Sequence, residues 1–316
     1  MAEDLRWRAL SNILASKAMF DLSDSMSRED VAFPGRLPDL RQARTVQIVT
    51  DISGSRQDGY EVYSLLITGR DLLHEWDEER LAVRAAYLPD NRRFSYKQLN
   101  DKIRQRALLP FLAAADRIPG LLFSVAIETQ LRSIFGSSDE VAALANRFKW
   151  KPQMMERLLR LLHFQGLLLA GLSHSGQKLL WLSDQDAILA TPKMSRDVEG
   201  IMSGVLNMYL SHRMGRAGFM TTAIDQNDRH HEDLAAIPDL SAGACFEQLR
   251  VGPIPATRRI PTQGRSAPTL RWLGSQAGSL AKRFLLLTAP KDGLGGVQMD
   301  WLKFDTSSPD ENTPAI

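Results

Sequence analysis

The spacing of apolar and polar positions divides the chain into helices, strands and connections. Leu5, Leu10, Ile13, Leu14 and Met19 recur at helical spacing and predict a leading helix over 5–20. Residues 21–44 are polar, hold Pro34, Gly35 and Pro38, and read as a linker. Thr45 to Ile52 is a β-branched run stopped by Ser53-Gly54. Tyr60 to Ile67 follows after a polar turn, so the pair predicts an antiparallel hairpin. Arg70 to Glu79 reads as helix, whereas Leu81 to Tyr87 suits a strand or a helix end. Leu99, Ile103, Ala107 and Phe111 step by four and predict a helix over 96–116, kinked at Pro110. Leu121 to Glu128 is nearly all apolar, the pattern of a strand covered on both faces. Two helices meeting near Trp150 to Pro152 follow over 138–164. Residues 167–171 and 178–182 suit strands around the turn Ser173-His174-Ser175-Gly176. A helix over 195–213, a strand over 219–224 and a helix over 231–249 come next. Beyond Arg250 the prolines at 253, 255, 261 and 268 break the regularity. A helix over 270–283 and a strand pair over 284–288 and 297–304 precede a polar segment, 305–316, read as a disordered tail.

This order predicts an α/β fold in which a mixed sheet is flanked by helices. Residues 1–44 form a leading helix and linker, 45–250 the core, and 251–304 a basic C-terminal extension. Within the core, 138–182 reads as a helical insertion, with a winged helix as one form of it: two helices, then a hairpin tipped by Ser173 to Gly176. Composition changes little. Of 316 residues, 44% are apolar and 24% charged, which suits a globular protein. The formal charge of +2 means that any nucleic-acid partner must be argued from local charge. The single cysteine, Cys245, excludes an intramolecular disulfide or a Cys-rich zinc site, and reads as a small buried hydrophobe. The N-terminus is too charged for a signal peptide and no apolar run is long enough to span a bilayer, so the expectation is a cytoplasmic protein without a membrane partner. Gly-rich phosphate loops and the Gly-x-Ser-x-Gly elbow do not occur, which argues against nucleotide-driven motors and α/β-hydrolases.

Candidate chemistry lies in acids at strand ends. Asp51 closes an apolar, β-branched strand, where a carboxylate is costly unless paired, a divalent cation being one such partner. Read alone it is equally a turn residue. Glu128 ends a second apolar strand. Asp184 and Asp186 follow a third, although Ser183-Asp184-Gln185-Asp186 also suits a helix N-cap. Asp239 lies in Ile237-Pro238-Asp239-Leu240-Ser241-Ala242-Gly243-Ala244. Ala242 and Gly243, three and four residues on, share its helix face and let the helix approach a strand closely. The bland alternative is a capping Asp on an alanine-rich helix. Clustered carboxylates of this kind hold metal ions about 3.5–4 Å apart in two-metal phosphoryl-transfer sites.

Val49-Thr50-Asp51-Ile52-Ser53-Gly54 resembles the opening Asp-Glu-Ser-Gly motif of a large bacterial family of uncharacterised proteins with a ribonuclease-H-like fold. Ile237 to Ala244 resembles that family's closing Ala-Asp-Leu-small-Ala-Gly element. The resemblance spans roughly 45–250. It implies a ribonuclease-H-like core with Asp51 as the first-strand acid and Asp239 as the late-helix acid. It matches Glu128 and Asp184 to acids that follow later strands, and implies Mg2+ or Mn2+ as cofactor. Two departures stand out: Ile52 replaces the usual Glu, and Ser95-Tyr96-Lys97 lacks the Glu of the family's Glu-apolar-Lys helix start.

His230-His231-Glu232-Asp233 reads as a helix start rather than a metal cluster, with His231 a candidate proton shuttle near Asp239. Residues 248–291 carry eight Lys or Arg and no acid, with Trp272 inside the stretch. Arg258, Arg259, Arg265, Arg271 and Trp272 are therefore candidate nucleic-acid contacts, the alternative being a solvated surface. Two functions follow. One is a metal-dependent nuclease using Asp51, Glu128 and Asp239 with Asp184 assisting. The other is a catalytically inactive module of the same fold that binds a protein or nucleic-acid partner, in a bacterial defence or mobile-element setting.

Overall fold

The computed structural model describes residues 5–11, 16–131, 134–183, 192–225, 228–252, 254, 257–260, 264–290 and 296–306. Its centre is a seven-stranded mixed sheet. In chain order the strands are β1 (Thr45–Gly54), β2 (Tyr60–Gly69), β3 (Gly120–Glu128), β4 (Lys178–Ser183), β5 (Ala217–Thr221), β7 (Leu280–Thr288) and β8 (Gln298–Trp301), arranged β5-β4-β1-β2-β3-β7-β8. β1, β2 and β3 form an antiparallel meander, while β4 joins β1, β5 joins β4 and β7 joins β3 in parallel. A two-stranded pair, β6 (Arg259–Ile260) and β9 (Lys303–Phe304), lies outside the main sheet.

Helices cover both faces, which is why the central strands read as continuous apolar runs. On one face, α1 (Lys17–Ala32), α4 (Ser138–Phe148), α5 (Pro152–Leu172) and α6 (Pro192–Tyr209) pack on Ile48, Tyr63, Leu65, Phe123 and Val125. On the other, α2 (His74–Tyr87), α3 (Lys102–Ala115), α7 (His230–Val251) and α8 (Ala267–Gly274) pack on Val49, Val62, Leu66, Leu122 and Ala126. The split follows strand alternation, since neighbours along β1 or β2 point to opposite faces. Among the described residues no helix is long and apolar enough to cross a membrane.

The β1–β2 hairpin forms as the sequence predicts, and Leu81 to Tyr87 resolve as the end of α2. Other expectations change. The leading helix is displaced to 17–32, because residues 5–11 form no helix and dock through Trp7. The Trp7 backbone N–H donates to buried Asp30 at 2.8 Å, and its ring covers Gly171, where any Cβ would lie within 2.6 Å of it. The insertion expected at 138–182 is part of the core layer. Residues 167–171 continue α5, which is buried along most of its length, and 178–182 form β4, a main-sheet strand rather than a wing. The boundary at 250 likewise cuts through the sheet, since β7 pairs with β3. Residues 280–283 open that strand instead of ending a helix. The tail expected at 305–316 lies outside the described residues from 307 onward.

A buried histidine sets an acid response in this scaffold. His163, on α5, stacks on Phe135 at 4.1 Å between ring centres, and its Nδ1 is 2.7 Å from the Tyr209 hydroxyl. Burial pushes the imidazole from its ordinary 6.5 down to about 4, and pushes the Tyr209 phenol upward. Both groups are therefore neutral, and the imidazole tautomer sets which of them donates. The folded-state pKa lies below the unfolded one, so the unfolded chain takes up the proton first as pH falls. His163 is expected to withdraw up to about 3 kcal/mol of stability between pH 6.5 and 4. Urea unfolding of wild type and His163→Gln across this window checks it. Parallel pH profiles for the two would contradict the assignment.

Candidate functional site

The site is built where the carboxyl ends of two parallel neighbours meet. Thr50 on β1 pairs with Ser183, the last residue of β4, and Asp51 is the next residue on β1. Asp51 lies two residues beyond Val49, whose side chain belongs to the α7 layer, so its half-buried carboxylate faces α7. The strand then ends at Gly54, where φ is +91° and a Cβ would lie 2.6 Å from the Tyr60 carbonyl and 2.7 Å from the Phe246 ring of α7. Glycine alone fits that close approach.

α7 packs mainly on β1 and β2. Its two sides do different work. Ser241 faces the sheet, and its hydroxyl is 2.8 Å from Ser124 Oγ, itself 2.8 Å from Ser64 Oγ, which gives a buried chain of three hydroxyls. Ser64 is the register partner of Asp51. Asp239, two residues before Ser241, is turned about 200° around the helix. Its Oδ2 accepts the Tyr96 backbone N–H at 2.8 Å, which fixes the 3-10 turn Tyr96–Gln98. Gly243, one turn on, meets the same tyrosine, since a Cβ there would lie 2.3 Å from the ring. The small residues after Asp239 thus admit the Tyr96 ring and not, as the sequence suggests, a strand. Burial, with Glu247 alongside, pushes the Tyr96 phenol well above its ordinary value.

Asp51 and Asp239 are both half-buried on elements packed together over one face of the sheet, Asp51 facing α7 from β1 and Asp239 on the side of α7 turned away from Ser241 toward Tyr96. Glu128 is not with them. Asp51 aligns through Ser64 with Ser124, so Glu128 lies four residues along and two strands across, about 16 Å away between Cα positions. Its Oε2 accepts the Ala289 N–H at 2.9 Å, and it raises the phenol of paired Tyr60, second to burial. Glu128 as a co-ligand of Asp51 is corrected accordingly: strand register, invisible in an apolar run, carries it past the site. Asp184, the residue after Ser183, lies outside the described residues, as does Asp186. Among the described residues no three His, Cys, Asp or Glu side chains are grouped as a metal ion would need.

The basic candidates also separate. Trp272 is only 7% exposed, packs in the core beside Lys282 and donates to Asp116 at 2.9 Å, so it cannot stack on a base. Arg258 pairs with Asp300 at 2.9 Å. Arg265 is held by Glu247 at 2.6 Å and lies over the Tyr96 ring, bracing the segment that Asp239 caps. Arg271 is half-buried on α8, and Arg259 is exposed on β6. His231 is not a shuttle for Asp239. Its Nδ1 is 2.5 Å from Asp225, which also accepts the N–H groups of His231 and Glu232 at the head of α7. That leaves it eight residues, about 12 Å, from Asp239 along the helix. Cys245 is buried, and burial raises its thiol pKa, so it is inert packing.

The sequence reading missed the hydroxyl chain and Tyr96. A signal existed for the first, since Ser124 interrupts an otherwise apolar strand. None exists for Tyr96, whose role depends on how α7 docks. Comparison with protein-family models, with curated proteins and with solved structures finds no match.

Proposed function

We propose that the chain is a ribonuclease-H-like, divalent-metal-dependent protein acting on nucleic-acid phosphodiesters. The observation that carries this reading is the position of Asp51. It sits at the carboxyl end of β1 beside the carboxyl end of β4, where the hairpin leaves in one direction and the parallel strands in the other. Open α/β sheets bind ligands at such switch points. The order β3-β2-β1-β4-β5, with β2 antiparallel to both neighbours, is the arrangement a ribonuclease-H-like core calls for.

Hard oxygen donors suit Mg2+ or Mn2+. Asp51 and Asp239 would hold the ion, with Asp184 next in sequence after Ser183; Glu128 does not fit. When bound, the ion would supply charge stabilisation at a phosphate and a more acidic water. The protein's own part is orientation: Tyr96 N–H fixes one oxygen of Asp239, and the Ser64 hydroxyl sits in the network beside the Asp51 register position. Two observations favour a second reading, an inactive binding module of the same fold. One Asp239 oxygen is engaged by Tyr96, and Ser95 stands where the resembled family has Glu.

Cleavage of DNA and RNA substrates in magnesium separates the two. The first reading expects activity that falls by at least about 100-fold, some 2.7 kcal/mol, in Asp51→Asn. Activity unaffected by that substitution would sink it.

A further inference from the structure

β8 pairs with β7 only over Leu285–Thr288. Among the described residues no strand lies beside the opening half of β7 on that edge, apart from one bond from the Leu302 N–H to the Phe284 carbonyl. The gap is a cleft of about 610 Å³, between the end of α1 on one side and the Trp301–Thr306 segment on the other. That volume suits a small-molecule ligand, typically about 300–1,000 Å³.

Its walls combine two chemistries. The inner wall is aromatic, with Phe284 and Phe304 stacked at 5.2 Å and Trp301 beside them. At the rim Phe33 is 47% exposed, and the Arg36 guanidinium lies 4.0 Å over its ring. The rim is also cationic. Arg36, Arg259 and Lys303 are all exposed, and no carboxylate of the described residues pairs with any of them. Two carboxylates also line the cleft: Glu29, taken up by Arg283 at 2.9 Å, and Asp305, two residues after Lys303, whose backbone N–H donates to the Ile260 carbonyl. The inner end of the cleft reaches the Ser124 and Ser241 hydroxyls, which can rotate to donate or accept.

We propose that this cleft binds a nucleoside phosphate. Phe284 and Phe304 are buried against each other and only back the cleft, so the faces open to a base are those of exposed Phe33 and half-buried Trp301. Such stacking contributes about 1–3 kcal/mol per base and tolerates any base. Three cations that pair with no carboxylate among the described residues match a phosphate chain, with the two guanidiniums able to bind it bidentately. Neither chemistry alone needs the other; their coincidence in one cleft selects a ligand with both. The cleft is separate from Asp51 and Asp239, and the proposal does not rest on the metal-site reading. Of the basic candidates seen in the sequence, Arg259 belongs here, joined by Arg36 and Lys303 from distant segments.

Calorimetric titration with ADP in the absence of divalent cations tests the proposal, with adenosine and inorganic phosphate as separate arms. ADP is expected to bind, and each fragment to bind at least about tenfold more weakly. The combined Arg36→Ala, Arg259→Ala, Lys303→Ala variant is expected to weaken ADP by about tenfold or more, and Phe33→Ala to weaken ADP and adenosine but not phosphate. All four side chains are exposed, so the variants should melt with wild type, and a melting curve verifies that. Failure of ADP to bind wild type would overturn the proposal. So would undiminished binding by the folded triple variant, or phosphate binding as tightly as ADP.

Discussion

Asp233→Asn is expected to destabilise the fold by about 3–5 kcal/mol. Asp233 is wholly buried near the start of α7 and accepts from Arg84 through Nε and Nη2, both at 2.5 Å, and from Arg80 at 3.2 Å. Both guanidiniums are themselves nearly inaccessible and come from one face of α2, four residues apart. The substitution keeps the shape but removes the charge, leaving two buried cations with no carboxylate at their centre. Asp77 offsets Arg80 in part, at 3.1 Å, whereas among the described residues Arg84 keeps only neutral acceptors, the Asn91 side chain and the Arg92 carbonyl. Urea denaturation measures the loss directly. A change below about 1 kcal/mol would show that solvent reaches the pair and that exposed-pair energetics apply.

Glu61→Gln is expected to cost a similar amount, about 3–5 kcal/mol, and its partners give the result a sharper signature. Glu61 is 2% exposed on β2 and binds Arg160 at 2.9 Å, Arg157 at 2.8 Å and the Tyr63 hydroxyl at 2.9 Å. Arg160, also 2% exposed, holds Glu156 at 3.0 Å and the Leu131 carbonyl at 2.8 Å. Arg157 donates at 2.9 Å to the Gly54 carbonyl, the turn that closes the strand bearing Asp51. The network therefore ties α5 to the site turn. Glu61→Met combined with Arg160→Met should lose less than the sum of the single changes, because each single change strands the other charge in the core. Additive losses would contradict the coupling.

Much of this architecture is legible in the chain, and what is not has identifiable causes. The β1–β2 hairpin is readable because β-branched runs flank a polar turn, and Asp51 because a carboxylate breaks such a run. The strand character of Leu121 to Glu128 is equally plain. Its register is not: a strand apolar on both faces carries no alternation to fix which residue lies opposite Asp51, so Glu128 looks equivalent until the pairing is known. Leu167 to Gly171 failed in a related way, since a short apolar run fits a buried helix as well as a strand. Trp272 looks like a stacking platform among basic residues, yet Asp116, far back in the chain, supplies the partner that lets it be buried. The cleft is assembled from α1, β6, β7 and β9, and no local pattern announces it. Gly243 signals close approach in the sequence, but its partner, the Tyr96 ring, is set by tertiary structure.

The central claim is that Asp51 and Asp239 share a divalent ion. Thermal melting with increasing Mn2+ tests it most directly, in wild type, Asp51→Asn and Asp239→Asn. Binding to the folded state alone stabilises by about 2.7 kcal/mol at 100 times Kd. Wild type is expected to show a saturable rise in Tm that both variants lose. A wild-type Tm indifferent to Mn2+ and Mg2+, or a rise that survives in both variants, would contradict the claim.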